Sequence, residues 1–67
     1  MSTFHTAART AVFEIYPSGA EYRWRLRADN GEIVAHGESY KTRYGAHEAV
    51  ETVKRLAPSA RVEDKYL

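Results

Sequence analysis

Three arginines at alternate positions are the residues of this chain best suited to chemistry at a surface. Arg23, Arg25 and Arg27 lie in a seven-residue segment, EYRWRLR, in which charged and apolar residues alternate strictly. Alternate side chains of a strand share one face, so the three guanidinium groups form a basic row about 14 Å long. Arginine binds phosphate through paired hydrogen bonds. The row predicts either nucleic-acid or anion binding, or a solvated face with cross-strand ion pairs such as Glu14–Arg23.

Net charge and aromatic placement favour the solvated face. The chain has 10 Lys and Arg against 9 Asp and Glu, and a net charge of +1 exerts no general attraction on nucleic acid or on a membrane. Bases of a single strand stack on exposed aromatic rings, and only Tyr16 is expected on the arginine face. The neighbouring strand is expected to add one histidine to the candidate binding residues, which are Arg23, Arg25, Arg27 and His36.

The other reactive side chains form no arrangement that catalysis requires. His5, His36 and His47 lack the spacing of metal ligands. The sequence has no cysteine, and it contains no nucleophile–base set, glycine-rich phosphate loop or pair of carboxylates in contrasting environments. We therefore predict a protein that is not an enzyme, with no catalytic residues, metal or cofactor.

Polar residues gather where the third strand leads into a helix: Glu38, Ser39, Tyr40, Thr42 and Tyr44. Polar groups at a helix N-terminus can bind an anion. They more commonly cap the helix, for which Ser39 or Thr42 is sufficient. Capping is the favoured interpretation.

Alternating patterns predict three antiparallel strands, at residues 12–16, 21–27 and 33–36. Asn30-Gly31 predicts a two-residue type I′ turn, because both central positions of that turn need a positive φ. This turn pairs Ala28 with Ile33. The first hairpin, if its turn is centred on residues 18–19, pairs Phe13 with Trp24.

Both hairpins then place an apolar set on one face: Phe13, Ile15, Tyr22, Trp24, Leu26, Ile33 and Ala35. Trp24 is expected in the core of this face, because a central-strand position between apolar neighbours is more typical of packing than of ligand stacking. A buried indole N–H usually finds an acceptor, so we expect one nearby.

A helix and a short last strand complete the unit. Thr42 is the expected N-cap, and Pro58 is expected to end the helix near Ala57. The inward residues are expected at three- and four-residue steps: Ala46, Ala49, Val50, Val53, Leu56 and Ala57. Residues 60–63 fit a last strand, so the order is β-β-β-α-β, an α+β fold with one helix on one face of an antiparallel sheet. The last strand must pair with a sheet edge, of its own chain or of a second copy.

Length limits how far this chain can stabilise itself. We expect a flexible N-terminal leader at residues 1–10 and a single domain at residues 11–67. A domain of this size buries only about 60% of its unfolded surface, and small domains usually add disulfides, a metal or oligomerisation. Disulfides are excluded because cysteine is absent, so self-association is the candidate support. The residue pattern near the N-terminus is unlike an export signal, and a cytoplasmic location is the expectation.

Four segments resemble the YegP-like family of small uncharacterised proteins: YRWRLRA at 22–28, NGEI at 30–33, GESY at 37–40 and the helix at 45–58. The resemblance covers roughly residues 13–62. Leu56 and Ala49 depart from it, since the family often has a polar residue and a glycine there.

The resemblance implies a β3-αβ unit, of which two form one sheet and swap their C-terminal strands. A chain with one unit would then be a strand-swapped homodimer. The family has no established activity. We therefore expect a non-enzymatic homodimer that serves as a binding or scaffold module, with itself as partner, no membrane association and any other partner unknown. Nucleic-acid or anion binding through the basic face is the alternative.

Overall fold

The computed structural model describes residues 10–66 of the 67-residue chain. It contains strands β1 (Val12–Ser18), β2 (Glu21–Arg27) and β3 (Ile33–His36), helix α1 (Arg43–Leu56) and a 3₁₀ turn (Ala57–Ser59). The antiparallel sheet has the order β1-β2-β3, and α1 packs on β1 and β2. The predicted α+β fold is confirmed. The expected leader, residues 1–10, lies outside the described residues except for Thr10.

The first hairpin has a register two residues away from the predicted one. Phe13 pairs with Leu26, so the predicted pairing with Trp24 is wrong. The reason is that β1 continues to Ser18, and the turn therefore begins at Gly19, whose φ is +62°. Glycine supplies the positive φ that the first central position of a II′ turn needs. A shift of two residues leaves every side chain on its predicted face.

The second hairpin closes through a three-residue loop, and the predicted type I′ turn is wrong. Of Asn30 and Gly31, only Gly31 has a positive φ, which is +93°. Its N–H donates to the carbonyl of Ala28 at 2.9 Å, and the N–H of Ala28 donates to the carbonyl of Glu32 at 2.7 Å. The resulting register shift pairs Ile33 with Arg27, not with Ala28. Directly paired residues share a face, so Ile33, 44% exposed, is not on the predicted apolar face.

Helix α1 begins and ends where the sequence predicts. The Thr42 Oγ1 accepts a hydrogen bond from the N–H of Gly45 at 2.9 Å, which satisfies one of the unpaired donors of the first turn. Ala57 is the C-cap, and Pro58 lies in the following 3₁₀ turn. None of the helices in residues 10–66 combines the length and apolar character needed to cross a membrane.

The core lies between α1 and the middle strand. Trp24 is 7% exposed and is buried together with Ala46 and Val50 of the helix. The ring of Phe13 meets the indole edge-on at a centroid distance of 5.7 Å, a favourable aromatic geometry. Leu56, by contrast, is 54% exposed, so its predicted inward packing is wrong, as it is for the exposed Ala57. The last turn of the helix is left uncovered by the rest of the described chain.

Residues 60–66 form no strand within the described part of the chain. Ala60 is extended, with φ −71° and ψ 130°, but a strand requires a partner, and neither edge of the sheet is paired with this segment. Val62 is 93% exposed and Tyr66 is 88% exposed. The strand predicted at 60–63 is therefore absent from the isolated chain.

Candidate functional site

The arginine face is organised around one carboxylate. Glu14 pairs across the strands with Arg25, not with Arg23 as predicted, because of the two-residue register shift. The Nε of Arg25 donates to Oε1 of Glu14 at 2.7 Å. Arg27 donates its Nη2 to the same oxygen at 3.0 Å and its Nε to Oε2 at 3.1 Å. One carboxylate thus joins two of the three arginines of the basic row.

These bonds set the electrostatics of the face. The hydrogen bonds from Arg27 and then Arg25 lower the pKa of Glu14 from 4.5 to about 2. The same carboxylate raises the pKa of Arg25. The guanidinium of Arg25 also lies 4.5 Å from the centroid of the Tyr16 ring, a cation–π contact. Arg25 and Arg27 are therefore engaged within the protein.

Arg23 has a different environment, because the sheet is irregular beside it. Backbone hydrogen bonds join β2 to the chain after β3 on either side of this residue, at Trp24–Gly37 (3.0 Å) and at Tyr22–Tyr40 (2.8 Å in both directions). One residue of β2 thus stands opposite two residues, 38–39, which is the arrangement of a β-bulge. The Nη2 of Arg23 is 3.5 Å from the carbonyl oxygen of Gly37. It makes no ion pair with any residue between 10 and 66.

A cleft of about 360 Å³ opens at this bulge, lined by Arg23, Trp24, His36, Gly37, Glu38 and Tyr40. The buried Nε1 of Trp24 has no hydrogen-bond partner among the residues described, so the acceptor expected for it is missing. Such a donor costs about 1–3 kcal/mol when left unpaired. The indole fits only because residue 37 is glycine, since a Cβ there would overlap Nε1.

The structure divides the four predicted binding residues into two sets. Arg25 and Arg27 share the carboxylate of Glu14, whereas Arg23 and His36 line the cleft. His36 pairs with Arg25 across the strands, as predicted. The cleft is not visible in the sequence, because a bulge leaves little trace in an alternating pattern. The one signal was a glycine after the third strand, at a position that shares its face with Trp24.

The remaining candidates have structural roles or lie apart. Thr42 caps α1, whereas Ser39 is exposed and makes no side-chain hydrogen bond within the described chain. Tyr44 is exposed, and a hydrogen bond with Glu48 raises its pKa. Residues 10–66 contain no group of three or more His, Cys, Asp or Glu side chains placed to hold a metal ion. His47 lies on the exposed side of the helix.

Comparison with known proteins finds relatives of unknown function. A family model described as "Domain of unknown function (DUF1508)" matches residues 18–64. A UPF0339 protein of Methanosarcina acetivorans is 45% identical over 51 residues, which are 75% of this chain and 88% of that protein. A protein of Stutzerimonas stutzeri, named "UPF0339 protein in ptx operon 5'region", is 45% identical over 58 residues. The match covers 84% of this chain and 52% of that protein.

A solved structure has the same fold. The solution NMR structure of a protein from Haloferax volcanii is 45% identical to this chain, and the two superpose with a TM-score of 0.76. The superposition covers 84% of this chain and 97% of that one. The family model, the relatives and the shared fold together show that this chain belongs to the DUF1508 (UPF0339) family of small, YegP-like proteins of unknown function.

Proposed function

We propose that this chain acts as a homodimer, a non-enzymatic binding or scaffold module in which each copy completes the sheet of the other with its C-terminal segment. The observation that carries this proposal is the state of residues 60–66. They are exposed, they form no helix or strand, and they pair with neither edge of the sheet in the described chain. A segment of this kind is stabilised when a second chain gives it a pairing partner.

The side chains of this segment separate into two sides. The carboxylate of Glu63 pairs with Arg61 at 3.1 Å and with Lys65 at 3.3 Å. Residues two apart share one side of an extended chain, so Val62, Asp64 and Tyr66 would belong to the other side, where the N–H of Tyr66 donates to Oδ1 of Asp64 at 2.9 Å. The side with Val62 and Tyr66 suits the covered face of a sheet, and the side with three charged residues suits the solvated face.

The sheet offers two free edges to such a segment. The backbone carbonyl of Trp24 accepts a hydrogen bond from the N–H of Gly37, directly after β3, and ladder bonds alternate along a strand. Phe13 and Ile15 of β1 therefore direct their backbone groups away from β2, as His36 of β3 does. Pro17 has no N–H, so pairing along the outer edge of β1 weakens beyond Ile15. Either edge is a template for strand addition.

Two further observations support a second copy. Leu56, 54% exposed at the end of α1, is a large apolar side chain without cover in the described chain. The match with the Stutzerimonas stutzeri relative covers 52% of that protein, which has length for two units of this kind. A chain with one unit would obtain the same two-unit assembly by pairing with a second copy. The family resemblance also implies the exchange of C-terminal strands.

Light scattering after size-exclusion chromatography tests the dimer. We expect a mass of twice the 7.6 kDa chain. Replacing the apolar side of the segment, in the double variant Val62→Asp and Tyr66→Asp, is expected to produce monomers, and circular dichroism reports whether these remain folded. The matched control is Arg61→Ala, on the charged side, which is expected to stay dimeric. A folded monomer in the unmodified protein would contradict the proposal.

Strand exchange needs its own test. In a sample mixed from isotope-labelled and unlabelled protein, filtered NMR experiments detect only contacts between copies. We expect such contacts between Val62 of one copy and a sheet edge of the other. A dimer in which Val62 contacts only its own copy would contradict exchange.

The alternative function is nucleic-acid or anion binding through the basic face, with Arg23, Arg25, Arg27 and His36 as the binding residues. Its support is that three guanidinium groups share this face with a single paired carboxylate, Glu14. The affinity for short single strands would fall steeply between about 50 and 200 mM salt. Arg25→Glu would abolish the binding. Absence of binding at the lower salt concentration would exclude this function.

A further inference from the structure

We propose that the cleft beside Gly37 binds a small oxyanion, a carboxylate or a phosphate group, with Arg23 as its cationic partner. This site is narrower than the basic face as a whole, and it does not depend on the homodimer. Two observations carry it: Arg23 makes no ion pair in the described chain, and the sheet opens opposite this residue.

Arg23 is the arginine of the basic row that makes no ion pair within the described structure. Arg25 and Arg27 both bond to Glu14 at 3.1 Å or less. Arg23 reaches only a backbone carbonyl, that of Gly37, at 3.5 Å, the upper limit of a hydrogen bond. Its remaining guanidinium N–H groups are available for an oxyanion, which they match in geometry.

The bulge turns this available charge into a cleft. Because residues 38–39 leave the ladder opposite Arg23, their N–H groups have no backbone partner in the described chain. The resulting opening has a volume of about 360 Å³, which is enough for a small ligand. β-Bulges are over-represented next to active sites, where they direct side chains towards a ligand.

The donors at this opening specify the chemistry of the ligand. The guanidinium of Arg23 is a donor only, and the N–H groups of residues 38–39 are donors without a backbone partner in the described chain. A ligand that offers only acceptors, as an oxyanion does, satisfies these groups, whereas a cation satisfies none of them. The Nε1 of Trp24 is buried against Gly37, on the face of β2 opposite to Arg23, and serves as a nearby reporter.

One residue of the lining opposes an anion. Glu38 is exposed at the rim of the cleft and makes no ion pair within the described chain. The negative charge of this side chain lowers the affinity of the cleft for an anion. Removing the charge is therefore expected to raise that affinity. Glu38→Gln is expected to bind an oxyanion about two- to fivefold more tightly.

The chain contains one tryptophan, so its indole ¹H–¹⁵N resonance reports on the site without ambiguity. Titration uses inorganic phosphate and acetate at constant ionic strength, with sodium chloride as the reference. In the unmodified protein we expect a saturable shift of this resonance. Arg23→Gln is expected to weaken the binding about tenfold or more, the loss typical of one charge-assisted hydrogen bond. The matched control is Arg25→Gln. Arg25 lies outside the cleft, so this variant is expected to retain the binding.

Two results would overturn the proposal. The first is a shift that chloride reproduces. The second is equal weakening by Arg23→Gln and Arg25→Gln, which would indicate a diffuse association with the basic face. Light scattering tests the homodimer separately, so failure of the cleft and failure of the homodimer are distinguishable.

Discussion

The Nε1 of Trp24 lies where a side chain at residue 37 would begin, so that a Cβ added to Gly37 would overlap the indole. The two residues are joined across β2 and the following chain by the N–H of Gly37, which donates to the carbonyl of Trp24 at 3.0 Å. The largest side chain of the core therefore extends over a cross-strand neighbour that has no side chain. This contact links the core to the cleft, since both residues line it.

Gly37→Ala is expected to destabilise the protein by about 1–3 kcal/mol, the usual cost of forcing an extra methyl group into a packed site. Urea denaturation followed by tryptophan fluorescence measures the change. Ser39→Ala, at an exposed position of the same bulge, is the control and is expected to change stability by less than about 0.5 kcal/mol. Equal stability of the two variants would mean that the indole is not held against Gly37.

The carboxylate of Glu14 predicts an acid dependence of stability. Folding lowers its pKa from 4.5 to about 2, so the folded state favours the ionised form. The stabilisation from this group is complete above pH 4.5 and is lost as the pH falls from about 4.5 to about 2. Thermal melting across this range is the measurement.

Other carboxylates titrate in the same range, and the variant Glu14→Gln separates their effect. The difference in Tm between the unmodified protein and Glu14→Gln is expected to be largest at neutral pH and to shrink as the pH falls towards about 2. A difference that stays constant with pH would show that Arg25 and Arg27 do not hold the carboxylate in its ionised form.

Gly31→Ala tests the geometry of the second hairpin. Its φ of +93° is unfavourable for residues with a Cβ, and we expect a loss of about 1–2 kcal/mol. Gly31→Asn is expected to lose less, because asparagine tolerates positive φ better than alanine. Chemical denaturation of both variants gives the comparison. If alanine proved the better replacement, the loop would not have the conformation described.

Thr42→Ala tests the N-cap of α1. The variant loses the acceptor for the N–H of Gly45, and we expect a loss of about 1 kcal/mol in the free energy of unfolding. Thr42→Ser keeps a hydroxyl in the same place and is expected to retain most of the stability. Similar losses in the two variants would assign the role of Thr42 to its methyl group and not to the cap.

The three strands, the helix and most of the faces were accessible from the sequence, for reasons visible in particular residues. Thr42 and Pro58 delimit the helix through local chemistry, a capping hydroxyl and a missing N–H, which act within a few residues. The alternation of β2 puts Trp24 on the core side, and a register shift by an even number of residues does not change that side. The pairing of Glu14 was missed, because a two-residue slip preserves the faces while it changes every cross-strand neighbour.

Local propensity and periodicity were sufficient to predict the order of the three strands and the helix, the ends of the helix and the side of the sheet to which most side chains point. They did not decide the state of residues 60–63, because a strand there needs a pairing partner that local sequence does not specify. The tertiary structure decided the pairing partner of Glu14, the exposure of Ile33 and the cleft beside Arg23. These features depend on where the turns close and where a bulge interrupts pairing. Such choices balance small energies across several strands, and no short segment of the chain encodes them alone.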